Sequence, residues 1–210
     1  MGKAAVLTGD LIDSTLVRPE VVDQAMNALV AASRKISEWA GADTRFTRFR
    51  GDGWQICLAD TRLVLRATLL LLARLKCAGS GLATRLSIAV DTVERLGDVG
   101  LSKAAGPAFT LSGRNLDGMP VYGKFTYAEP AKPGYWKPAT LDLAVWQATR
   151  WTPEQAEAVA LALDLPRPAD EALAKSVGIS RQAFQSRLKG SGIAAMSCAL
   201  LAFETDSTGT

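Results

Sequence analysis

Ala4-Ala5-Val6-Leu7 is an apolar run without polar alternation, and it predicts a strand over residues 4–10 that is covered on both faces. Helical spacing follows. Val22, Ala25, Met26, Leu29, Ser33 and Ile36 form one stripe of a helix from Pro19 to about Trp39, with proline in its first turn. Arg45-Phe46-Thr47-Arg48-Phe49-Arg50 and Trp54-Gln55-Ile56-Cys57-Leu58 read as two strands, and Asp52-Gly53 between them predicts a type I′ hairpin turn with positive φ at both residues. Thr61 is placed to cap a second helix through about Lys76, apolar nearly all round and so sandwiched between layers. Leu86, Ile88 and Val90 alternate as a further strand, Gly106 to Leu116 reads as a helix, and Val121 to Tyr127 as a strand. The order β-α-β-β-α-β-α-β predicts an α+β sandwich, helices packed on a mixed sheet.

Glu129-Pro130-Ala131-Lys132-Pro133-Gly134 and Lys137-Pro138 form a Pro/Gly-rich stretch that divides the chain into segments 1-128 and 139-210, with a linker over 129-138. Beyond it the pattern is helical. Thr152-Pro153-Glu154-Gln155 is a capping box with proline at the first helical position. A second helix runs from about Pro168 to Val177 and ends at Gly178. Ser180 caps a third over Arg181 to Lys189, broken by Gly190-Ser191-Gly192, and a last apolar helix spans Ile193 to Phe203.

Composition narrows the chemistry. The chain has 210 residues and a net charge of +3, too small by itself to imply a nucleic-acid partner. Histidine is absent, which removes the usual imidazole base, the usual zinc ligand and any Ser-His or Cys-His nucleophile pair. Cys57, Cys77 and Cys198 lie far apart in mostly apolar surroundings, as reduced thiols of a cytoplasmic protein would. The N-terminus lacks a basic segment followed by a long apolar core, so no secretory signal is expected. The richest apolar stretch, Leu63 to Leu75, is interrupted by Arg66 and Arg74 and is too short to span a bilayer, so no membrane association is expected.

Two Gly-Asp pairs carry the candidate chemistry. Gly9-Asp10 ends the first strand and Gly51-Asp52 sits at the hairpin. If their strands are neighbours, the two carboxylates meet at one sheet edge, an arrangement that suits Mg²⁺ or Mn²⁺ with phosphate oxygens. In the helical segment, Ala174-Lys-Ser-Val-Gly178-Ile-Ser180-Arg-Gln-Ala-Phe184 carries helix-turn-helix spacing, with Gly178 as the left-handed turn residue. Phe184 and Leu188 face inward. Ser180, Arg181, Gln182, Gln185, Ser186, Arg187 and Lys189 are left on the outer side, where they could reach a DNA major groove. Residues 136–210 hold 7 Lys/Arg and 8 Asp/Glu, whereas 181–189 holds three basic residues and no acid.

The stretch Gly106-Pro-Ala-Phe-Thr110-Leu-Ser-Gly-Arg114 resembles the Gly-x-x-Val-Asn-x-Ala-Ala-Arg signature of class III nucleotidyl cyclases. Arg48-Phe-Arg-Gly51-Asp52 resembles their Lys-x-x-Gly-Asp hairpin, Asp10-Leu-Ile-Asp-Ser14-Thr15 their first metal-binding Asp and phosphate loop, and Arg85-Leu-Ser-Ile-Ala-Val their Arg-Ile-Gly-Ile strand. The resemblance covers about residues 4–118, and the combination with a helix-turn-helix is similar to the SatD-type proteins.

The resemblance implies a ferredoxin-like, palm-type sandwich followed by an all-α helix-turn-helix domain. It implies metal ligation by Asp10, Asp52 and the Leu11 carbonyl, and a polyphosphate cradled by Ile12, Asp13, Ser14 and Thr15. It also implies a homodimer in which Arg114 is supplied across the interface to the transferring phosphoryl group. Departures accompany the matches: Thr110 stands at the transition-state Asn position, and Arg48 and Lys103 at the Lys-Asp pair that reads adenine. Two cations there could hold extra phosphate or a guanine. The expectation is a DNA-binding transcription regulator whose degenerate cyclase-like half senses a nucleotide or polyphosphate. The alternative is a Mg/Mn-dependent nucleotidyl cyclase or nucleotidyltransferase with a non-adenine preference.

Overall fold

The first strand, β1 (Lys3–Leu11), is the axis of the molecule. Its odd residues Ala5 and Leu7 face one apolar cluster and its even residues Ala4 and Val6 face another, which explains the uninterrupted apolar run. The structure, a computed structural model, describes residues 2–120, 122–130 and 135–206. The following elements are α1 (Pro19–Ala40), β2 (Phe46–Phe49), β3 (Gly53–Leu58), α2 (Val64–Cys77), β4 (Thr84–Thr92), α3 (Pro107–Asp117) and β5 (Phe125–Ala128). After them come α4 (Trp136–Ala148), α5 (Pro153–Ala162), α6 (Asp170–Ser176), α7 (Arg181–Ser191) and α8 (Ser197–Thr205). The protein is mixed α+β, with one five-stranded sheet in the order β2-β3-β1-β4-β5. The first four strands are antiparallel in the βαββαβ connection called ferredoxin-like, and β5 adds parallel to β4.

Helices α1 and α2 cover one face of the sheet, and α3 covers β1 and β4 on the other. Helix α2 is enclosed between the sheet and α5, and one apolar cluster runs from Leu7 through Leu69 to Val159, Trp151 and Phe203. The segments 1-128 and 139-210 therefore meet along α2. Of the expected linker, residues 131–134 lie outside the described residues, as do Met1, Val121 and 207–210. Trp136, Lys137 and Pro138 form the first turn of α4, a helix the linker reading did not single out. Among the described residues, no helix is long and apolar enough to cross a membrane.

Three local expectations are corrected. Positive φ falls on Arg50 (51°) and Gly51 (87°), not on Asp52 and Gly53. Gly53 belongs to β3, where its missing side chain makes room for Phe49; a Cβ there would lie 2.5 Å from the Phe49 ring. The cap before α2 is Asp60, whose carboxylate accepts from the Arg62 amide at 3.0 Å. Thr61 instead starts a 3-10 turn that leads into the helix. The last apolar segment is likewise a 3-10 turn, Ile193–Met196, followed by α8. The capping box at Thr152 and Gln155 forms as read, and Ser180 accepts from the Ala183 amide at 3.2 Å.

Candidate functional site

Pairing of β1 with β3 sets Asp10 opposite Gly53, and the Leu11 amide donates to the Asp52 carbonyl at 3.1 Å. The two Gly-Asp pairs therefore end side by side at the C-terminal end of β1. Gly9 makes this possible. The fully buried Trp54 lies flat against it, and its indole Nε1 donates to Thr84 Oγ1 (3.0 Å), which donates to the Asp10 carbonyl (2.7 Å).

The carboxylates are already occupied. Arg85 sits opposite Asp10 in the β1–β4 register and grips it with two bonds, Nε to Oδ1 at 2.8 Å and Nη2 to Oδ2. This pairing raises the Arg85 pKa above its ordinary value, chiefly through the Asp10 hydrogen bond, with Asp117 and Asp52 adding negative potential. Ser14 donates to Asp52 Oδ2 at 2.5 Å. Arg85 is the site residue that sequence reasoning left without a role. It was quoted only as part of a strand motif, and its contact with Asp10 depends on long-range strand register.

Ser14, Thr15, Val17, Pro19, Val22, Arg48, Arg50, Gly51 and Asp52 line an open cleft of about 460 Å³ beside this strand end. Asp13 takes the left-handed conformation (φ 59°) and leads into a 3-10 turn over Ser14–Leu16. Within the expected cradle, the Ile12 amide is not available, because it donates to the Ala83 carbonyl at 2.8 Å. Arg48 donates to Asp23 (2.6 Å) and to the Gly51 carbonyl (2.5 Å) at the rim. Exposed pairs of this kind contribute about 0–1 kcal/mol, so Arg48 exchanges partners at little cost.

The other expected residues lie elsewhere. Thr110 and Arg114 on α3 line a second cleft with Asp91, Glu94 and Gly106. Asp91 pairs with Ala4 and Arg85 with Asp10, so six residues of strand, about 20 Å, lie between Asp91 of this cleft and the end of β1 within one chain. Lys103 lies in the loop after β4, where its carbonyl accepts from Arg95. On α7, Arg187 is turned back onto Glu157 of α5 (2.7 Å) and Gln185 onto Asp170 of α6 (3.1 Å). Arg181, Gln182, Ser186 and Lys189 are exposed. Gly178 between α6 and α7 has φ 69°, the left-handed turn that its position requires.

The donors do not fit a divalent cation in this arrangement. Both Asp10 oxygens accept from Arg85 and one Asp52 oxygen accepts from Ser14. Among the described residues no group of three or more Asp, Glu, Cys or His side chains is placed to hold a metal ion. The side chains instead set two guanidinium groups, Arg48 and Arg50, on the rim of a cleft whose lining includes one carboxylate, Asp52, and the Asp10 charge beside it is met by Arg85, a balance that suits an anion.

No family model matches the chain, and no curated protein matches it. Among solved structures the chain is similar to the guanylyl cyclase Cya2, with TM-score 0.40 and 16% identity over 55% of this chain and 70% of that one. A likeness of that size assigns no activity.

Proposed function

We propose that this protein binds a nucleotide or another polyphosphate in the cleft beside the end of β1, and that the sheet half is a sensor for a DNA-contacting α6–α7 pair. The observation that carries the reading is the convergence of Arg48, Arg50, Ser14 and Thr15 on one open cleft beside the strand end where Asp10 is already neutralised by Arg85. Guanidinium groups form bidentate, charge-assisted bonds with phosphate oxygens. The hydroxyls of Ser14 and Thr15 would orient the chain of phosphates. For the DNA half, support comes from the exposed Arg181, Gln182, Ser186 and Lys189 on a capped helix without acids. Helix α7 is also tied to α4, since Gln147 Nε2 and Trp151 Nε1 both donate to the Ser191 carbonyl, at 3.0 and 2.8 Å.

A thermal-shift panel of ATP, GTP and inorganic triphosphate, each with and without Mg²⁺ or Mn²⁺, tests the sensor. A ligand at 100 times its Kd stabilises by about 2.7 kcal/mol. The expected result is a rise in Tm with triphosphate in the absence of metal, abolished in Arg48→Ala/Arg50→Ala. No shift with any ligand refutes it. The adjacency of Asp10 and Asp52 favours a second reading, nucleotidyl cyclisation or transfer. Pyrophosphate release in the same panel, lost in Asp52→Ala, would establish it.

A further inference from the structure

Helix α4 has two apolar sides. Leu141, Ala144, Val145 and Ala148 are buried against the core. On the opposite side Ala139, Leu143 and Trp146 are exposed, with Leu143 at 69% and Trp146 at 55%, and Trp136 falls on the same spacing with its ring set edge-on to the buried Phe203, centroids 5.0 Å apart. Together with Arg150 these residues recur at intervals of three, four, three and four. This is the 3.5-residue period of a helix seam that packs on another helix, not of a solvated face. The seam carries charges of opposite sign, Asp142 flanking its middle and Arg150 at its C-terminal end. Asp142 is exposed beside Leu143. Arg150 lies with its guanidinium carbon 3.6 Å from the Trp146 ring centroid and donates to the Trp146 carbonyl at 3.1 Å. Its charge is thereby held at the end of the stripe.

We propose that this outer face of α4 is a homodimer contact, in which two copies of the chain pair α4 antiparallel about a twofold axis. An axis level with the midpoint of Leu143 and Trp146 sets Leu143 of each copy against Trp146 of the other, as an isologous contact requires. The same axis leaves Asp142 and the second copy's Arg150 three residues apart in level, about 4.5 Å along the helix. That is within reach of an arginine side chain, and symmetry makes the ion pair twice. A second copy is the occupant whose charges match because the patch complements itself; a parallel alignment would set like charges together. One helix face of about four turns falls short of the roughly 800 Å² per partner of a standard interface, so the contact is a weak one. This contact is separate from the dimer that the cyclase resemblance implies, and it does not depend on a ligand in the cleft. It would fix the relative placement of two α7 helices through the Gln147 and Trp151 bonds to Ser191.

Sedimentation equilibrium of the full chain across the micromolar range tests this, with circular dichroism checking the fold of each variant. The wild type should dimerise, and Leu143→Glu should weaken dimerisation at least tenfold. Asp142→Arg and Arg150→Asp should each weaken it, and the two together should restore it. A monomeric wild type, a dimer indifferent to Leu143→Glu, or an unrestored double swap overturns the proposal. So does a monomer that co-sediments with phosphatidylserine vesicles through the stripe, which would make it a lipid contact. Triphosphate thermal shifts should be unchanged in all these variants, so failure of the cleft reading and failure of this one are told apart.

Discussion

Gly9→Ala tests whether the close packing of β1 on Trp54 positions the acidic end of the sheet. A Cβ at residue 9 would lie 2.5 Å from Trp54 Cζ2 and 2.6 Å from the Arg85 backbone oxygen. Carbon atoms rest at about 3.5–4.0 Å, so the overlap is about 1 Å on one side against a ring and on the other against backbone. Trp54 has no exposed surface and cannot swing to solvent, and Arg85 belongs to a paired strand. Overpacking of this sort costs about 1–3 kcal/mol. If Trp54 turns to escape, its bond to Thr84 is lost, at about 1 kcal/mol more. The expected loss is about 3 kcal/mol, or roughly 6–12 °C in Tm for a chain of this size. Urea unfolding followed by far-ultraviolet circular dichroism measures it. Trp54→Leu should absorb part of the clash, giving a coupling of at least about 1 kcal/mol in the double-mutant cycle. A Gly9→Ala loss below about 0.5 kcal/mol, or strict additivity with Trp54→Leu, would show that the strand is not held by this contact.

Arg50→Gly separates binding from stability. It relieves a left-handed non-glycine residue worth about 1–2 kcal/mol and adds unfolded-state freedom worth about 0.5–1 kcal/mol. Stability should hold or rise slightly while triphosphate affinity falls about tenfold by titration calorimetry; unchanged affinity removes Arg50 from the site. Burial pushes the Cys57 and Cys77 thiols up to about 11, whereas Cys198 is exposed. A disulfide reagent at pH 7.5 should therefore modify one thiol rapidly in the native chain and three after unfolding. Because these two folded thiols ionise later than free ones near 8.5, their contribution to stability is complete below about pH 8.5 and is lost as pH rises toward 11. Rapid modification of two thiols in the folded chain would contradict the burial. On α7, Arg181→Ala and Lys189→Ala should weaken duplex DNA binding and each lower the salt slope by about 0.9. Arg187→Ala should do less, since Arg187 already pairs with Glu157. Equal effects of all three, read by fluorescence anisotropy across a salt series, would show that the Glu157 pair opens on DNA.

Elements with one apolar side were legible in the sequence. The stripe of α1 matches its position because that helix meets the core with a single period, and the Leu86, Ile88 and Val90 alternation marks one face of β4, a strand buried on both. What failed was local ambiguity. Both Gly51 and Gly53 could supply the hairpin's positive φ. The choice fell to Gly51 because Phe49 needs the space over Gly53, a contact between strands that periodicity does not encode. Helix α4 was hidden because Leu143 and Trp146 fill the side that a solvated helix leaves polar. The outer residues of α7 were read correctly as a face, but Arg187 and Gln185 have acids within reach on α5 and α6 that only the packed structure brings near.

The candidate site shows the same limit in its electrostatics. From sequence, Asp10 and Asp52 read as two negative charges waiting for a cation, and the chain does bring their backbones together. The strand register adds what spacing could not: Arg85 faces Asp10, so the nearest positive charge is built in. A divalent ion at Asp10 must first displace a two-bond, charge-assisted contact, the stronger class of hydrogen bond at about 1.5–3 kcal/mol. An anion in the cleft instead meets the charge of Asp52, which Ser14 hydrogen-bonds without neutralising. Against that single charge it finds two cations, Arg48 in a weak exposed pair and Arg50 at the turn. The step from two facing acids to a cation site thus turns on one arginine of the neighbouring strand, whose register with Asp10 the spacing of the Gly-Asp pairs does not encode.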